Sequence, residues 1–221
     1  MFYLKMQLND LKTGSVRDKQ WMKSAIFLIF SLFLFPQWNY GQVLDSDQLS
    51  KNPVYKSFEA VEALPVEEVL RLSFKRKLPT DFNEKIVKYN YLQELRLKNM
   101  RLKEVPQAVW SLSNLTVLDL SNNKLRSLSE HLGELHHLER LIINRNDLYE
   151  LPKQIAQLTQ LRYIDLFSTL IVDFPSEISQ LQHSLKEIDM RVIRMSDAEK
   201  LHLQAYLPDT KFWFSNSCGC K

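Results

Sequence analysis

Leucine recurs every 23 residues through the middle of the chain, at Leu92, Leu115, Leu138 and Leu161. Each of these leucines opens a similar phrase, with further apolar residues at fixed positions and polar residues between them. A chance amphipathic helix would show a period of about 3.6 residues and no longer repeat. The 23-residue spacing therefore predicts a solenoid, in which each unit buries its apolar face by stacking on the next.

The third unit shows the local structure that the pattern predicts. Leu138, Leu141 and Ile143 are spaced so that their side chains leave a short strand on one side. Asn146 stands where the chain must turn, and Pro152 begins a return leg with a helix-like spacing of apolar residues. Because the same offsets recur in the next unit, we expect the strands to form one parallel sheet over one continuous core.

The repeated phrase can be written L-x-x-L-x-L-x-x-N-x-L-x-x-L-P-x-x-I-x-x-L, and it resembles the leucine-rich repeat family in the form with 23-residue units. The resemblance covers roughly residues 66–215. It implies an α/β solenoid, a short horseshoe of about five to six repeats with a parallel sheet on its concave face, an irregular or helical convex side and helical caps. It also implies a non-enzymatic module that binds a protein or peptide partner on the concave face.

The turns of the units depart in part from the family pattern. The turn position is occupied in successive units by Met100, Asn123, Asn146, Thr169 and Ile193. An asparagine there can bond to the backbone of neighbouring turns. Only two of the five units are therefore expected to share an asparagine ladder.

The two ends of the array are expected to form caps, because the terminal units of a solenoid must cover the core. A degenerate first repeat begins at Val69, and residues 57–64 are predicted to form an N-terminal cap helix with two apolar side chains turned inward. At the other end, Ser196 opens a capping-box sequence that predicts a helix to Leu207, followed by a closing strand over residues 211–214.

The chain is predicted to divide into a leader, an N-terminal linker with its cap, the repeats, and a C-terminal cap with a tail, over residues 1–42, 43–65, 66–195 and 196–221. Met22 is predicted to be the true start, because Lys23 then precedes an apolar run of 12 residues. Such a run is too short for a membrane span, which needs about 20 residues. It predicts a secretory signal peptide that is cleaved near Gln42.

Cleavage of the leader would place the mature protein outside the cytoplasm. We therefore expect a secreted or periplasmic protein, of bacterial type. The alternative is that the apolar run is retained as a signal anchor. The chain would then be a membrane-anchored scaffold whose repeats organise other proteins.

The leader also accounts for the positive charge of the chain. The sequence has 29 basic and 26 acidic residues, and the leader holds five of the former and two of the latter, which leaves 24 of each. A neutral mature chain removes any general case for nucleic acid as a partner, because such binding needs a sustained positive field.

Two cysteines, Cys218 and Cys220, lie close together in the C-terminal tail. In an oxidising compartment they are expected to form a local or an intermolecular disulfide, or to supply half of a metal site. No further metal ligand stands nearby in the sequence, which favours a disulfide.

No catalytic or cofactor-binding motif stands in the sequence, so no enzymatic activity, metal or cofactor is predicted. The main alternative uses Asp165 and Asp189, which fall on adjacent predicted strands about 4.8 Å apart. Two such carboxylates could hold a cation or act in a carbohydrate- or cation-dependent binder or hydrolase. Ion pairing with Arg140, Arg162 or Arg191 is the favoured expectation.

The residues between the inward leucines are predicted to form a binding surface on the concave face. Tyr163 and Phe167 share a predicted strand beside Arg140, and such groupings typify interface hot spots. The other interpretation is that Phe167 packs under the C-terminal cap. The N-terminal strands instead predict a basic patch of Arg71, Lys75, Arg76, Arg96 and Lys98. The predicted partner-binding residues are Arg96, Asp119, Arg140, Ile142, Tyr163, Asp165, Phe167, Asp189 and Arg191.

Overall fold

The computed structural model describes residues 42–215. In it, seven short strands lie side by side in sequence order and form one parallel sheet. The strands are β1 Arg71–Lys75, β2 Glu94–Lys98, β3 Val117–Asp119, β4 Arg140–Ile142, β5 Tyr163–Asp165, β6 Glu187–Met190 and β7 Lys211–Phe214. Equivalent residues of successive repeats are paired, so Leu95 lies beside Leu118 and Leu118 beside Leu141. The predicted parallel sheet and solenoid are confirmed.

One apolar side chain at the centre of each repeat strand points into the core and stacks on its neighbours. These residues are Leu72, Leu95, Leu118, Leu141, Ile164 and Ile188, and each has 0% of its surface exposed. Full burial of such a side chain contributes about 1.5–3 kcal/mol relative to leaving it in water. Because each side chain is covered by the units on both sides of it, the stability of one repeat depends on its neighbours.

The return legs on the convex side are single turns of helix. The α-helices of the described chain are α1 Ser46–Ser50, α2 Phe82–Ile86 and α3 Asp197–Tyr206. Most of the legs are 3₁₀ helices, at Val66–Glu68, Gln107–Ser111, Glu130–Glu134, Lys153–Gln157 and Ser176–Leu181. Four of these follow a proline, whose ring fixes φ for entry into the turn. The predicted helix-like return legs are therefore confirmed in a very short form.

Asn123 holds two neighbouring turns together through its buried side-chain amide. Its Oδ1 accepts hydrogen bonds from the backbone N–H groups of Met100 and Leu102, at 3.0 and 3.1 Å. Its Nδ2 donates to the carbonyls of Leu97 and Leu120, both at 2.8 Å. One side chain therefore satisfies four backbone groups at the edge of the core.

Asn146 repeats this arrangement one unit later, whereas Thr169 does not. The Asn146 amide accepts from the N–H of Leu125 in the preceding unit at 3.1 Å and donates to the Ile143 carbonyl at 2.8 Å. The Thr169 hydroxyl donates within its own unit, to the Leu166 carbonyl at 2.9 Å. The predicted ladder of two asparagines is confirmed.

We expect Asn123→Ala to lower the free energy of unfolding by about 1–3 kcal/mol, because it leaves buried backbone groups without partners. Chemical denaturation followed by circular dichroism would show a lower midpoint with an unchanged slope. Asn114→Ala is the control, since the Asn114 amide donates at the surface to the Asn90 carbonyl, at 2.8 Å. Equal losses in the two variants would contradict the structural role of the ladder.

The N-terminal cap differs from its prediction. Residues 57–64 form successive turns, with bonds such as that from the Val61 N–H to the Phe58 carbonyl at 3.0 Å. The predicted helix there is wrong, because the apolar spacing of Phe58 and Val61 is met equally well by successive turns. Phe58 and Val61 still turn inward, with 3% and 1% exposure. The Phe58 ring covers the end of the core and lies 5.0 Å from the ring of Phe74, between centroids.

The C-terminal cap agrees with its prediction. The Ser196 hydroxyl accepts from the Glu199 N–H at 3.3 Å, and the Glu199 carboxylate accepts from the Ser196 N–H at 2.6 Å. This capping box begins α3. The bond from the Ser196 backbone, followed by that from its hydroxyl, lowers the pKa of Glu199 below its ordinary value. After α3, the predicted closing strand is confirmed as β7, which pairs with β6.

Two predictions fall on parts of the chain that the structure does not describe. Residues 1–41, which hold almost all of the predicted leader, and the tail with Cys218 and Cys220 lie outside the described residues. The signal peptide and the disulfide therefore stay predictions. Within residues 42–215, no helix combines the length and the apolar character needed to cross a membrane.

Candidate binding face

Three columns of side chains cover the concave face of the sheet, opposite the core. Strand pairing aligns the first column as Arg71, Glu94, Val117, Arg140, Tyr163, Glu187 and Lys211. It aligns the second as Ser73, Arg96, Asp119, Ile142, Asp165, Asp189 and Trp213. The third column runs along the ends of the strands, from Lys75 and Lys98 to the equivalent Ser121, Asn144, Phe167 and Arg191. The predicted columns are confirmed, and β7 extends the first two.

Two aromatic rings on the C-terminal half of this face are stacked with cations. The Arg140 guanidinium carbon lies 4.5 Å from the ring centre of Tyr163. The Lys211 ammonium lies 3.7 Å from the ring of Trp213, which remains 41% exposed. The Trp213 Nε1 donates to the Glu187 carboxylate at 3.3 Å. These contacts fix the rings while leaving Trp213 accessible to a partner.

Phe167 adds a third ring at the edge of the same face. It lies two residues beyond the end of β5, so the prediction that it shares a strand with Tyr163 is wrong. The guanidinium carbons of Arg145 and Arg191 lie 5.8 and 5.9 Å from its ring centre. Phe167 does not belong to the apolar side chains of residues 42–215 that pack against the core. We call Tyr163, Phe167 and Trp213 the aromatic cluster.

Three aspartates of the second column share one local role. In Asp119, Asp165 and Asp189, the Oδ1 atom accepts a hydrogen bond at 3.0 Å from the backbone N–H two residues later. The donors are Ser121, Phe167 and Arg191. Side-chain bonds of this kind close the turn that follows a strand. The aspartates therefore help to fix the backbone from which the side chains of the third column project.

Asp165 and Asp189 have different further partners. Both carboxylate oxygens of Asp189 are held by Arg191, with Nε to Oδ1 at 3.0 Å and Nη2 to Oδ2 at 2.6 Å. Asp165 Oδ2 instead accepts from the Asn144 amide at 2.5 Å. The expected arginine pair is confirmed for Asp189 and wrong for Asp165, because Arg140 stacks on Tyr163. Across residues 42–215, no three His, Cys, Asp or Glu side chains are grouped so that they could hold a metal ion.

The electrostatics of the face keep its polar groups in defined charge states. Burial, and then the carboxylates of Asp165 and Asp189, raise the pKa of Tyr163, while Arg140 opposes them. Hydrogen bonds to Asp189 raise the pKa of Arg191. Near neutral pH, Tyr163 therefore offers a neutral hydroxyl and Arg191 a full positive charge.

The N-terminal end of the face is not the basic patch that the sequence predicts. Arg71 is only 8% exposed, and its Nε donates to Glu94 at 2.6 Å. Its Nη1 donates to the carbonyls of Ser50 and Asn52 in the cap, each at 2.9 Å. Arg96 pairs with the second oxygen of Glu94. One buried carboxylate therefore neutralises two cations, and the predicted patch is reduced to Lys75, Arg76 and Lys98.

Most of the predicted partner-binding residues come together on strands β4 to β6 and the turns after them. The group comprises Arg140, Ile142, Tyr163, Asp165, Phe167, Asp189 and Arg191. Arg96 lies apart from it, in its pair with Glu94. Asp119 is 7% exposed and caps its own turn. Asp119 therefore offers little surface to a partner, whereas the Arg96 side chain is 36% exposed.

Sequence reasoning missed Trp213 and Lys211 as members of the face. The alternation of residues 211–214 carries the signal, because it places these two side chains opposite Phe212 and Phe214. Arg145 was missed for another reason. It lies in a turn with a left-handed φ of 53°, a conformation that the leucine pattern does not encode.

A stacked parallel sheet with its core on one side and an open, aromatic-bearing face on the other defines a solenoid repeat protein. A family model described as a leucine-rich repeat region matches residues 46–201. The chain belongs to the leucine-rich repeat family. Proteins of this fold typically act as interaction modules and are generally not enzymes.

Solved structures of bacterial proteins share this fold. A leucine-rich repeat protein of Leptospira interrogans superposes with a TM-score of 0.58 and 24% identity, over 75% of this chain and 48% of its own. Internalin C2 of Listeria monocytogenes gives a TM-score of 0.56 and 21% identity, over 75% of this chain and 69% of its own. This chain thus spans about half the length of the Leptospira protein, 48%. No curated protein matches the sequence.

Proposed function

We propose that this chain is a non-enzymatic, extracytoplasmic module that binds a protein or peptide partner on the C-terminal half of its concave face. The observation that carries the proposal is the aromatic cluster, in which each ring is stacked with at least one cation. Tryptophan, tyrosine and arginine are the residues that most often dominate binding energy at protein interfaces.

The stacked cations make the face suited to binding without much reordering. Arg140 and Lys211 lie against their rings at 4.5 and 3.7 Å, so their side chains are already restrained in the free protein. Association usually costs about 0.5–1.5 kcal/mol for each long side chain that becomes ordered. A sheet that is rigid and already arranged avoids part of that cost.

The chemistry of the face favours a polypeptide partner over a ligand whose charged groups all have the same sign. Apolar Ile142 and the aromatic cluster offer anchor points, Arg140 adds a cation on β4, and Asp165 and Glu187 add carboxylates on β5 and β6. A partner that complements this surface needs apolar side chains and groups of both charges. Protein and peptide surfaces supply that mixture.

The carboxylates of the face support binding rather than hydrolysis. Asp189 is held by Arg191 through both oxygens, and Asp165 is held by Asn144 and by the backbone of Phe167. A general acid or a cation site needs carboxylate oxygens that are free to meet a substrate or an ion. The hydrolase and cation-dependent alternatives therefore have less support than a binding role.

The extracytoplasmic part of the proposal rests on the leader sequence, with its basic start, short apolar run and polar end before Gln42. N-terminal sequencing of the protein isolated from its own organism tests it. A mature chain that begins near Val43 is the expected result. A chain that keeps the apolar run would support the membrane-anchored scaffold.

The binding site is tested with paired tyrosine variants. Cross-linking capture from the native cell envelope, with the tagged full-length chain as bait, would provide the partner for affinity measurements. We expect Tyr163→Ala to weaken binding at least about 30-fold, the effect of losing a hot-spot side chain worth about 2 kcal/mol. Tyr149→Ala is the matched control, because Tyr149 is 61% exposed in an irregular segment outside the concave columns. Unchanged binding by Tyr163→Ala would exclude this part of the face.

A further inference from the structure

A second surface of the molecule carries cations without ion-pair partners. It follows the edge where β1, β2 and β3 turn towards the convex side, and its residues are Lys75, Lys98, Arg101, Lys103, Lys124 and Arg126. We call it the basic edge. None of these side chains has an ion-pair partner among residues 42–215. Arg71 and Arg96 differ from these cations, because both pair with the buried carboxylate of Glu94.

Like charges stand side by side along the basic edge. Lys75 and Lys98 are paired positions of adjacent parallel strands, and Arg101 and Lys124 line one cavity. Like charges in such positions destabilise a sheet or a turn rather than supporting it. Natural sequences keep local conflicts of this kind mainly at functional sites. These neighbouring positive charges therefore indicate a site for an anionic ligand that neutralises them.

The cavity between Arg101 and Lys124 has the character of an anion site. It is an open cleft of about 270 Å³, lined by Asn99, Arg101, Asn122, Asn123 and Lys124, which are amides and cations without any acidic or apolar side chain. The Asn122 amide donates to Asn99 Oδ1, so that oxygen is occupied and the Asn99 Nδ2 group is left as a donor.

The backbone beneath the cavity is fixed by the asparagine ladder. Arg101 lies between Met100 and Leu102, whose N–H groups both donate to Asn123 Oδ1 at 3.0 and 3.1 Å. The N–H of Lys124 in turn donates to the Leu102 carbonyl at 2.8 Å. Both cations therefore extend from restrained backbone, which reduces the entropy lost when they close on a ligand.

We propose that this cavity binds a phosphate- or sulfate-bearing group, with Arg101 and Lys124 contacting its oxygens and the Asn99 amide donating a further hydrogen bond. A guanidinium matches a tetrahedral oxyanion through two parallel hydrogen bonds. The 270 Å³ volume leaves room for the sugar- or glycerol-sized part that would carry the anion. The remaining cations of the basic edge attract the same ligand from a distance.

This site is separate from the proposed partner site in position and in chemistry. The aromatic cluster lies on and beside strands β5 and β7, whereas the cavity lies in the turns that follow β2 and β3. Variants at one site leave the other intact. Failure of the anion site would therefore leave the concave-face proposal standing, and the reverse also holds.

The test is to titrate the full chain at low salt with inorganic phosphate and, separately, with inorganic sulfate. Binding is monitored through the NMR chemical shifts of the backbone amides. We expect saturable shifts at Asn99 to Lys124, and at least about a tenfold loss of affinity in Arg101→Gln/Lys124→Gln, since one lost charge-assisted hydrogen bond has that effect. Lys153→Gln/Arg162→Gln removes the same charge from exposed positions elsewhere and should leave affinity within about twofold. Thermal melting of both double variants checks that they are folded.

A vesicle arm distinguishes the source of the anion. Binding to phosphatidylglycerol vesicles, but not to phosphatidylcholine vesicles, with loss in Arg101→Gln/Lys124→Gln, would identify a lipid headgroup as the carrier. Binding of the free anions without vesicle binding would identify a soluble phosphate or sulfate compound. Equal behaviour of wild type, Arg101→Gln/Lys124→Gln and Lys153→Gln/Arg162→Gln in every arm would overturn the proposal.

Discussion

Glu94→Ala should lower the free energy of unfolding by about 3–5 kcal/mol, the cost of breaking a buried ion pair from one side. The Glu94 side chain is 4% exposed and its partner Arg71 10%. Without the carboxylate, Arg71 is a buried charge that keeps only the carbonyls of Ser50 and Asn52, at 2.9 Å each. Arg96, whose side chain is 36% exposed, can turn to water instead. The loss therefore falls mainly on Arg71 and on the cap that it holds.

Chemical denaturation of three variants tests this expectation. Glu150→Ala is the control, because Glu150 is exposed and has no ion pair within the described residues; it should change stability by less than about 0.5 kcal/mol. Arg71→Met/Glu94→Leu removes both charges and should cost less than Glu94→Ala alone. A double variant that is less stable than the single one would show that the pair itself, and not the stranded charge, sets the stability.

Leu141→Ala should lower the free energy of unfolding by about 2–5 kcal/mol, which is the range for truncating a fully buried leucine. Leu141 has 0% exposure and lies at the middle of the stacked column, between Leu118 and Ile164. A cavity there removes contacts from both neighbouring units, since neither can shift without disturbing the sheet. The same truncation at a surface position would lower the free energy of unfolding far less.

The adjacent residue gives a matched comparison for Leu141. Ile142 follows it on β4 but its side chain lies on the concave face, in line with Asp119 and Asp165. We expect Ile142→Ala to lower the free energy of unfolding by less than about 1 kcal/mol. Calorimetry of the two variants compares the inward and outward faces of one strand directly. A loss under about 1 kcal/mol for Leu141→Ala would refute the assigned orientation.

The register of the sheet could be predicted from the sequence because a fixed period aligns equivalent residues. Counting 23 residues from Arg71 gives Glu94, and the pairing of β1 with β2 places these two residues side by side. The same counting placed Tyr163 beside Arg140. It required no knowledge of side-chain contacts, since stacked units repeat the same offsets.

The contacts of charged residues could not be predicted in this way. Arg71 looked like one of several solvated cations, and its burial depends on residues 50–52 of the cap folding over it. Those residues lie before the repeats and have no counterpart in them. The helix predicted for residues 57–64 failed for a related reason, because the apolar spacing of Phe58 and Val61 fits successive turns as well as a helix.

The candidate face was predictable in part. Tyr163 and Arg191 were identified from their columns, whereas Trp213 required β7 to be added to the sheet in register with Asp189. Lys75 and Lys98 of the basic edge were predicted as part of a basic patch, but the cations of the following turns were not, because they become neighbours only when the repeats stack. Arg101 and Lys124, which are 23 residues apart in sequence, line one cavity for this reason.

The central claim is that a partner docks on the concave face, and site-specific photo-cross-linking tests it most directly. A photoreactive amino acid would replace Ile142, which stands among Arg140, Tyr163 and Asp165 on the face. The same amino acid at Thr159, an exposed residue after the convex Lys153–Gln157 helix, is the control. We predict that position 142 cross-links to one protein of the native envelope and that position 159 does not. Cross-linking from position 159 alone would contradict the claim and place the partner on the convex side.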